Sequence, residues 1–352
     1  MIIVMEPNAP EQQIQKVVEK MESLGFRIIL NQGEVMTVIA AIGDKRLVQP
    51  QSIASMEGVR EVKLIQEPFK LASRESQKED SVIDLGKGVK IGGNQPPVIM
   101  AGPCSVEDDK EGLLKVARAV KAAGAQILRG GAFKPRTSPY DFQGMEEEGL
   151  KYLAEAREET GLLIITEVMD SQEVDLVADY TDIIQIGARN MQNFKLLKAV
   201  GKAQKPVMLK RGPAATIREF LLAAEHIMHA GNNDVILCER GVKGIDSTYT
   251  RNTLDIAAIP IIKKYSHLPI IVDPSHATGR RYLIAPMAKS SLIAGAHGLM
   301  IEVHHDPDKA YSDGAQSLTI EQFTIMMKEL NEIIHKIILH DQHWADVPSG
   351  IK

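Results

Sequence analysis

The sequence predicts an α/β protein: a closed (β/α)8 TIM barrel preceded by a small ferredoxin-like α+β domain. Three observations carry this reading. From residue 98 onward, strand and helix signals alternate eight times over about 240 residues, which implies a parallel sheet closed on itself rather than an open doubly wound sheet. The first seventy residues follow a different order, strand–helix–strand–strand–helix–strand, that of the split βαβ unit. The 352 residues suit one barrel of about 250 residues plus one small domain.

In the first domain, residues 1–70, Ile2 to Met5 is a short apolar run. Ile14, Val17, Val18, Met21 and Leu24 follow at helical spacing, and Gly25 stops the helix. Phe26 to Leu30 and Val35 to Ile42 read as strands around the turn signal Asn31-Gln-Gly33. A second helix covers Pro50 to Met56 and ends at Gly58, and Val62 to Ile65 is the fourth strand. Residues 71–95 are polar and mixed in charge, and read as a solvated linker. Gly86-Lys-Gly88 and Gly92-Gly93 allow a hairpin there, but no strand precedes them and their spacing is not that of a dinucleotide loop.

The barrel is assigned to residues 96–340, with a tail at 341–352. Its predicted pairs are strand Val98–Pro103 with helix Asp108–Ala123, Gln126–Ala132 with Gly144–Thr160, Leu163–Met169 with Ser171–Tyr180, and Asp182–Ala188 with Asn193–Ala203. Val207–Arg211 pairs with Thr216–Ala230, Asp234–Arg240 with Thr253–Ser266, and Leu268–Ser275 with Arg280–Ala294. Gly298–His304 is the last strand and Thr319–Ile338 the closing helix. Phe323, Met326, Met327, Leu330, Ile333, Ile334 and Ile337 make one apolar stripe on that helix, as expected of a core face.

Composition excludes several classes. With 44% hydrophobic and 25% charged residues the chain is neither largely disordered nor a collagen-like repeat. Aromatic residues are 4%, with Trp344 the single tryptophan, against a nucleic-acid binder built on stacking. The net charge of −5 gives no overall pull toward nucleic acid or an anionic membrane. Leu292 to Val303 is too short for a membrane span and contains His297. The amino terminus lacks the basic start of a secretory signal, so the expected location is the cytoplasm. There Cys104 and Cys238 are expected as free thiols.

In a (β/α)8 barrel the active groups lie at the carboxyl ends of the strands and in the loops just after them. Those ends carry Arg129, Lys134, Arg136, Arg189, Lys210 and Arg240, a basic set on an acidic protein. Singly, each reads as surface charge. Their recurrence at successive strand ends implies a highly anionic substrate with more than one phosphate, since arginine gives bidentate recognition and lysine a point charge. A second set is Cys104, His276, Glu302 and Asp313, whose thiolate, imidazole and carboxylates suit a divalent transition metal. The four come from separate segments, so spacing does not discriminate a metal site from a buried thiol, a satisfied histidine and a carboxylate partner of the basic set. Cys238 reads as core. His304 and His305 read either as neighbours of the metal ligands or as anion contacts.

Ala101-Gly-Pro-Cys-Ser105, Lys134-Pro-Arg-Thr-Ser138, Ile186-Gly-Ala-Arg-Asn190, Asp273-Pro-Ser-His276 and the Ile301-Glu302 strand end occur in one order. Together they resemble the 3-deoxy-D-arabino-heptulosonate 7-phosphate (DAHP) synthases over about residues 90 to 340. The front end resembles the regulatory domain of short-form members. The resemblance implies condensation of phosphoenolpyruvate with erythrose 4-phosphate, releasing phosphate, as the first step of the shikimate pathway. It implies metal ligands at Cys104, His276, Glu302 and Asp313, and one divalent ion per subunit (manganese, iron, zinc, cobalt or cadmium) acting as a Lewis acid on the aldehyde. It places phosphoenolpyruvate on Arg129, Lys134, Arg189, Lys210 and Arg240, and the sugar phosphate toward Arg136 and Thr137. Lys134 is then the general acid for the new hydroxyl, Glu167 and Lys210 hold the attacking water, and Asp313 relays a proton. A homotetramer and inhibition by tyrosine or phenylalanine through residues 1–70 are further implications.

Three rival readings remain. The sister 3-deoxy-D-manno-octulosonate 8-phosphate synthases carry Lys-Ala-Asn-Arg-Thr where this chain has Lys134-Pro-Arg-Thr137. A Schiff-base aldolase would use Lys210 as nucleophile without a metal. A catalytically dead amino-acid sensor would use residues 1–70 alone, against which the complete basic and ligand sets stand.

Overall fold

The structure, a computed structural model, describes residues 1–33, 36–43, 48–63, 68–135 and 138–344, with backbone only for 337–344. The chain forms two compact units. One is Met1–Asp80 with Lys264–His267, and the other is Ser81–Lys263 with Leu268–Lys352.

The first unit runs β1 (Ile2–Met5), α1 (Glu11–Ser23), β2 (Arg27–Gln32), β3 (Thr37–Ile42), α2 (Pro50–Ala54) and β4 (Val59–Lys63). The sheet order is β2-β3-β1-β4, and every pairing is antiparallel, with Ile3 opposite Ile39 on one side and Val62 on the other. The predicted helical stripe faces this sheet. Ile14, Val17, Val18 and Met21 of α1 are buried with Ile3, Met5, Phe26, Ile39 and Ile53. Gly25 takes φ +80°, the left-handed conformation that lets the chain leave α1. Val35 and the end of the predicted fourth strand, residues 64–65, lie outside the described residues; β4 begins three residues earlier than predicted, at Val59. Residues 71–80, read as linker in the sequence, group with this unit: Arg74 N–H donates to Tyr265 O at 2.8 Å, and His267 Nε2 lies 2.7 Å from Leu71 O.

The second unit opens with a hairpin, β5 (Ile83–Gly86) and β6 (Val89–Ile91). Ile83, Leu85 and Ile91 pack with Val98, Ile127, Leu163 and Ile183, the first residues of four barrel strands, and so close the amino-terminal mouth. The barrel strands are β7 (Val98–Gly102), β8 (Ile127–Arg129), β9 (Leu163–Val168), β10 (Ile183–Ile186), β11 (Val207–Lys210), β12 (Val235–Glu239), β13 (Ile270–Val272) and β14 (Gly298–Glu302). They are parallel and closed, the seam being a five-residue register from Gly298 opposite Val98 to Glu302 opposite Gly102. Outer helices follow in turn: α3 (Lys110–Ala122), α4 (Glu146–Thr160), α5 (Val174–Tyr180), α6 (Phe194–Val200), α7 (Ile217–His229) and α8 (Ala258–Tyr265). After β13 comes a short α9 (Pro274–Thr278), then α10 (Arg281–Ile293) and α11 (Ile320–Trp344).

Two boundaries differ from the predicted ones for identifiable reasons. The strand expected to reach Ser275 ends at Val272, because the Asp273 side chain caps His276 N–H at 2.9 Å and Pro274 fits the first helical position. The helix expected from Thr253 begins at Ala258, because Thr253 is held in a backbone bridge to Val242. Among the described residues no helix is long and apolar enough to cross a membrane.

Candidate active site

The carboxyl ends of the strands gather the chemistry. Arg129 and Lys210 are the last residues of β8 and β11, Glu302 ends β14, and Glu167 is next to last in β9. Cys104 and Lys134 lie in the loops after β7 and β8, Arg189 in a 3-10 turn after β10, and His276 on α9. These ends line a cavity of about 280 Å³. Arg129, Lys134, Arg189, Lys210 and Arg240 all face it, together with Glu167, His276 and Asp313. Five of the six predicted cations therefore meet in one place. Arg136, and Thr137 beside it, lie outside the described residues.

Cys104, His276, Glu302 and Asp313 offer one ligand atom each within 4.8 Å of one another. Cys104 Sγ is 3.3 Å from Asp313 Oδ2, and His276 Nε2 is 3.2 Å from Glu302 Oε1 and 3.7 Å from Asp313 Oδ2. His276 Nδ1 donates to Asp273 Oδ2 at 2.7 Å, so Nε2 is the atom turned toward the cluster. Burial pushes the His276 imidazole down, toward its neutral form. A neutral Nε2 then faces carboxylate oxygens with no proton to share between them. A divalent cation among the four donors resolves that conflict, and thiolate, imidazole and two carboxylates suit a transition metal. Burial and the nearby Glu302 push the Cys104 thiol up, so a cation bound there must displace its proton. Burial alone would raise the Asp313 carboxyl, but His276 and Arg251 hold it below the usual range.

The cations are placed by acceptors rather than left loose. Arg129 Nη1 donates to Glu302 Oε1 at 3.0 Å and to Pro103 O at 2.7 Å. Lys134 Nζ donates to Cys104 O at 2.9 Å and lies 3.1 Å from Cys104 Sγ. Lys210 Nζ donates to Asp273 Oδ2 at 2.6 Å. Arg189 donates to Pro135 O, which ties the turn after β10 to the loop after β8. Glu167 accepts from Gln185 Nε2 at 3.1 Å, and Gly187 leaves it room, since a Cβ there would stand 1.9 Å from Glu167 Oε1. Among the described residues Arg129 Nε is buried without a hydrogen-bond partner. The site therefore holds excess positive charge beside a compact donor cluster, which is how an anion is gripped next to a metal.

Residues 74–336 match the DAHP synthetase I family, and residues 1–67 match the DAHP synthase ferredoxin-like domain. The chain belongs to the DAHP synthetase I family. It is 50% identical over 333 residues to a phospho-2-dehydro-3-deoxyheptonate aldolase of Thermotoga maritima, spanning 95% of this chain and 97% of that one. A 2-dehydro-3-deoxyphosphooctonate aldolase of Syntrophobacter fumaroxidans is 32% identical over 269 residues, covering 71% of this chain and 91% of its own. The crystal structure of the Thermotoga maritima DAHP synthase superposes with a TM-score of 0.76 at 48% identity, over 96% of this chain and 98% of that one. A truncated form of the Thermotoga enzyme covers 77% of this chain and 98% of its own length, with a TM-score of 0.71.

In this DAHP synthetase I family member several site residues escape sequence reasoning. Asp273 holds both His276 and Lys210; burial would raise its carboxyl, but those two partners draw it well below the usual range. Gln185, Arg251 and Asn252 line the cavity, and Gln316 donates to Glu302 Oε2 at 2.6 Å. Arg251 Nη1 is 3.3 Å from Asp313 Oδ1. The Asp273-Pro-Ser-His276 run was the one signal for Asp273; the others carry no local pattern. Just past the carboxyl end of β11, Arg211 Nη1 bonds Glu239 Oε2 at 3.0 Å and Asp255 Oδ2 at 2.8 Å, joining the ends of β11 and β12 and the connection after β12. His304 and His305 stack on each other, ring centroids 4.6 Å apart, and pair with Glu107 and Asp109 outside the donor cluster. Cys238 is buried in the barrel's apolar interior, where burial pushes its thiol up.

Proposed function

We propose that this enzyme, a DAHP synthase by family, condenses phosphoenolpyruvate with D-erythrose 4-phosphate and water to give 3-deoxy-D-arabino-heptulosonate 7-phosphate and phosphate. The observation that carries the reading is the convergence of five cations on one cavity of about 280 Å³, which His276 and Asp313 of the four-donor cluster also line. Arg129, Arg189, Lys210 and Arg240 bind the phosphate and carboxylate of phosphoenolpyruvate, with Arg136 and Thr137 toward the sugar phosphate. Holding two mutually repelling anions in one pocket lowers the entropic and electrostatic parts of the barrier together.

The enol C3 forms a bond to the aldehyde carbon, and Lys134 gives a proton to the oxygen that becomes the new hydroxyl. Water adds to C2, losing a proton to Glu167, which Gln185 steadies. The C2–O bond to phosphate then breaks as the hemiketal hydroxyl passes its proton to the departing phosphate, leaving the ketone. A divalent ion held by Cys104, His276, Glu302 and Asp313 would supply Lewis-acid polarisation of the aldehyde. Asp313, beside the aldehyde, relays a proton. Lys210, gripped by Asp273, serves as an anion contact and water holder rather than as a free nucleophile.

We further assign tyrosine or phenylalanine feedback to residues 1–70, a homotetramer as the working assembly and the cytoplasm as its location. The match of residues 1–67 to the DAHP synthase ferredoxin-like domain supports the first. Deleting residues 1–70 should abolish that inhibition while leaving turnover; inhibition unchanged by the deletion would sink it.

The test is phosphoenolpyruvate consumption with erythrose 4-phosphate, with and without EDTA, and with arabinose 5-phosphate in parallel. Turnover with the four-carbon sugar, lost in EDTA and restored by a divalent metal, is expected. Turnover with the five-carbon sugar alone would transfer the chain to the octulosonate activity. No turnover with either, in metal-replete protein, would favour the amino-acid sensor.

A further inference from the structure

Of the four clustered donors, Asp313 is held least by its own strand. Cys104 and Glu302 lie at or next to strand ends and His276 on α9, whereas Asp313 sits well out in the connection from β14 to α11. Its side chain is 27% exposed against 0% for Glu302. Its backbone is left-handed, φ +53° and ψ +28°, a conformation that surrounding contacts must hold for a residue other than glycine.

One side chain reaches the connection that carries Asp313 twice. Glu107, in the loop that follows Cys104, accepts the backbone N–H of Tyr311 on Oε1 at 2.7 Å. Its Oε2 lies 3.4 Å from His304 Nε2. His304 Nδ1 accepts the Asp306 backbone N–H at 3.0 Å, so the imidazole carries its proton on Nε2, facing Glu107. The same carboxylate thus grips the Asp313 connection at two places. Flanking contacts repeat the pattern: the Ser105 and Ser312 hydroxyls meet, and Tyr311 Oη donates to Asp108 Oδ1 at 2.7 Å. The loop carrying Cys104 is thereby fastened to the connection carrying Asp313 at several points.

We propose that Glu107 is a positioning residue that sets the separation of Cys104 and Asp313 and hence the affinity of the metal centre. The inference rests on the metal-centre reading above. Glu107 makes no contact with the four donor atoms; it acts through the Tyr311 amide, two residues from Asp313. Groups that orient ligands in this way typically change metal affinity about 10–100-fold when removed.

The experiment is titration of metal-stripped full-length protein with Mn²⁺, following free Mn²⁺ by electron paramagnetic resonance, for the parent, Glu107→Ala, Glu107→Gln and Tyr311→Phe. Glu107→Ala should weaken Mn²⁺ binding about 10–100-fold. Glu107→Gln should fall between it and the parent, because its carbonyl still accepts the Tyr311 N–H while its amide opposes the His304 proton. Tyr311→Phe should weaken binding less than either. At saturating Mn²⁺ the kcat of each should return to near the parent value, since a loosened ligand is refilled by mass action. A role in stability alone would lower the melting temperature of the stripped protein and leave the Mn²⁺ affinity where it was, and that result overturns the proposal. So does a kcat that stays low with the metal fully bound. If Glu107→Ala does not fold, an unchanged affinity in Glu107→Gln overturns it equally. A parent protein that binds no Mn²⁺ removes the metal-centre reading itself, which distinguishes the two failures.

Discussion

Lys210 and His276 share one acceptor. Asp273 Oδ2 lies 2.6 Å from Lys210 Nζ and 2.7 Å from His276 Nδ1, with the Asp273 side chain fully buried. One oxygen therefore fixes both the ammonium proposed to bind the anion and the ring orientation of a donor in the proposed metal cluster. Removing its charge should be felt at both. Asp273→Asn is expected to weaken metal binding about 10–100-fold and to raise the KM for phosphoenolpyruvate as well. Metal titration and steady-state kinetics on the same preparation check it. A change in only one of the two would show that the shared oxygen does not link them.

Gly187 has φ −66°, which any residue adopts, so its lack of a side chain matters for space alone. An added Cβ would meet Glu167 Oε1 at 1.9 Å, and the Glu167 carboxylate would have to swing away. Gly187→Ala is expected to lower kcat by roughly a hundredfold, since displacing a catalytic group by about 1 Å costs that much. The melting temperature should move little, because the end of a flexible side chain gives way rather than backbone. A strong loss of stability with kcat unchanged would contradict the role of Glu167.

Arg211 ties together the segments at the carboxyl ends of β11 and β12. Its guanidinium is buried against Glu239, whose side chain is fully buried, and Asp255. Burial pushes the Glu239 carboxyl up even with Arg211 present. Arg211→Leu would leave that carboxyl without its cation and should cost about 3–5 kcal/mol of stability, read by urea unfolding. The double variant Arg211→Leu with Glu239→Leu should recover part of the loss.

His267 supplies a pH dependence of stability. Burial holds its imidazole below the ordinary value, although the Leu71 carbonyl that it bonds acts in the opposite sense. A folded-state pKa below the unfolded one means the unfolded chain binds more protons. This contribution is absent above the unfolded value of about 6.5 and turns against the fold as pH drops through that value, growing until the folded pKa is reached. The melting temperature should therefore fall between pH 7 and 5 more steeply in the parent than in His267→Gln. Equal slopes would remove His267 as the source.

The cations were legible because barrel geometry is unforgiving. A residue at the end of a parallel strand must meet the mouth, so Arg129, Lys210 and Arg240 could be placed from periodicity alone, and the structure gathers them with Lys134 and Arg189. The helical stripe of α1 and the first part of that of α11, Phe323 to Leu330, were legible for the same reason, since 3.6-residue spacing forces one face inward; Ile333 and Ile334 are half-buried, and the Ile337 side chain lies outside the described residues. What escaped lacks a repeating frame. α9 is five residues long, too short for a period, and its start depends on an Asp273 side-chain cap. Arg251 comes from the long connection between β12 and α8, where the Val242–Thr253 bridge, invisible in the sequence, sets its place. Asp273 was quoted in a motif, yet its two partners lie on different strands or helices and only folding brings them to one oxygen.

The donor cluster straddles the seam where the ring of strands closes. Cys104 follows β7, the first strand of the ring, and Glu302 ends β14, the last, while Asp313 lies further on. A chain emerging amino-terminus first cannot assemble the set until nearly all of it has been made. An arc of seven strands, however well packed, offers no such pocket. A cation captured there acts as a clasp that recognises only the finished ring, and at a hundred times its dissociation constant it would hold the ring shut by about 2.7 kcal/mol. On the proposed function, unfinished or frayed copies would stay catalytically silent, because the closure that completes the scaffold is the same event that brings the four donors together.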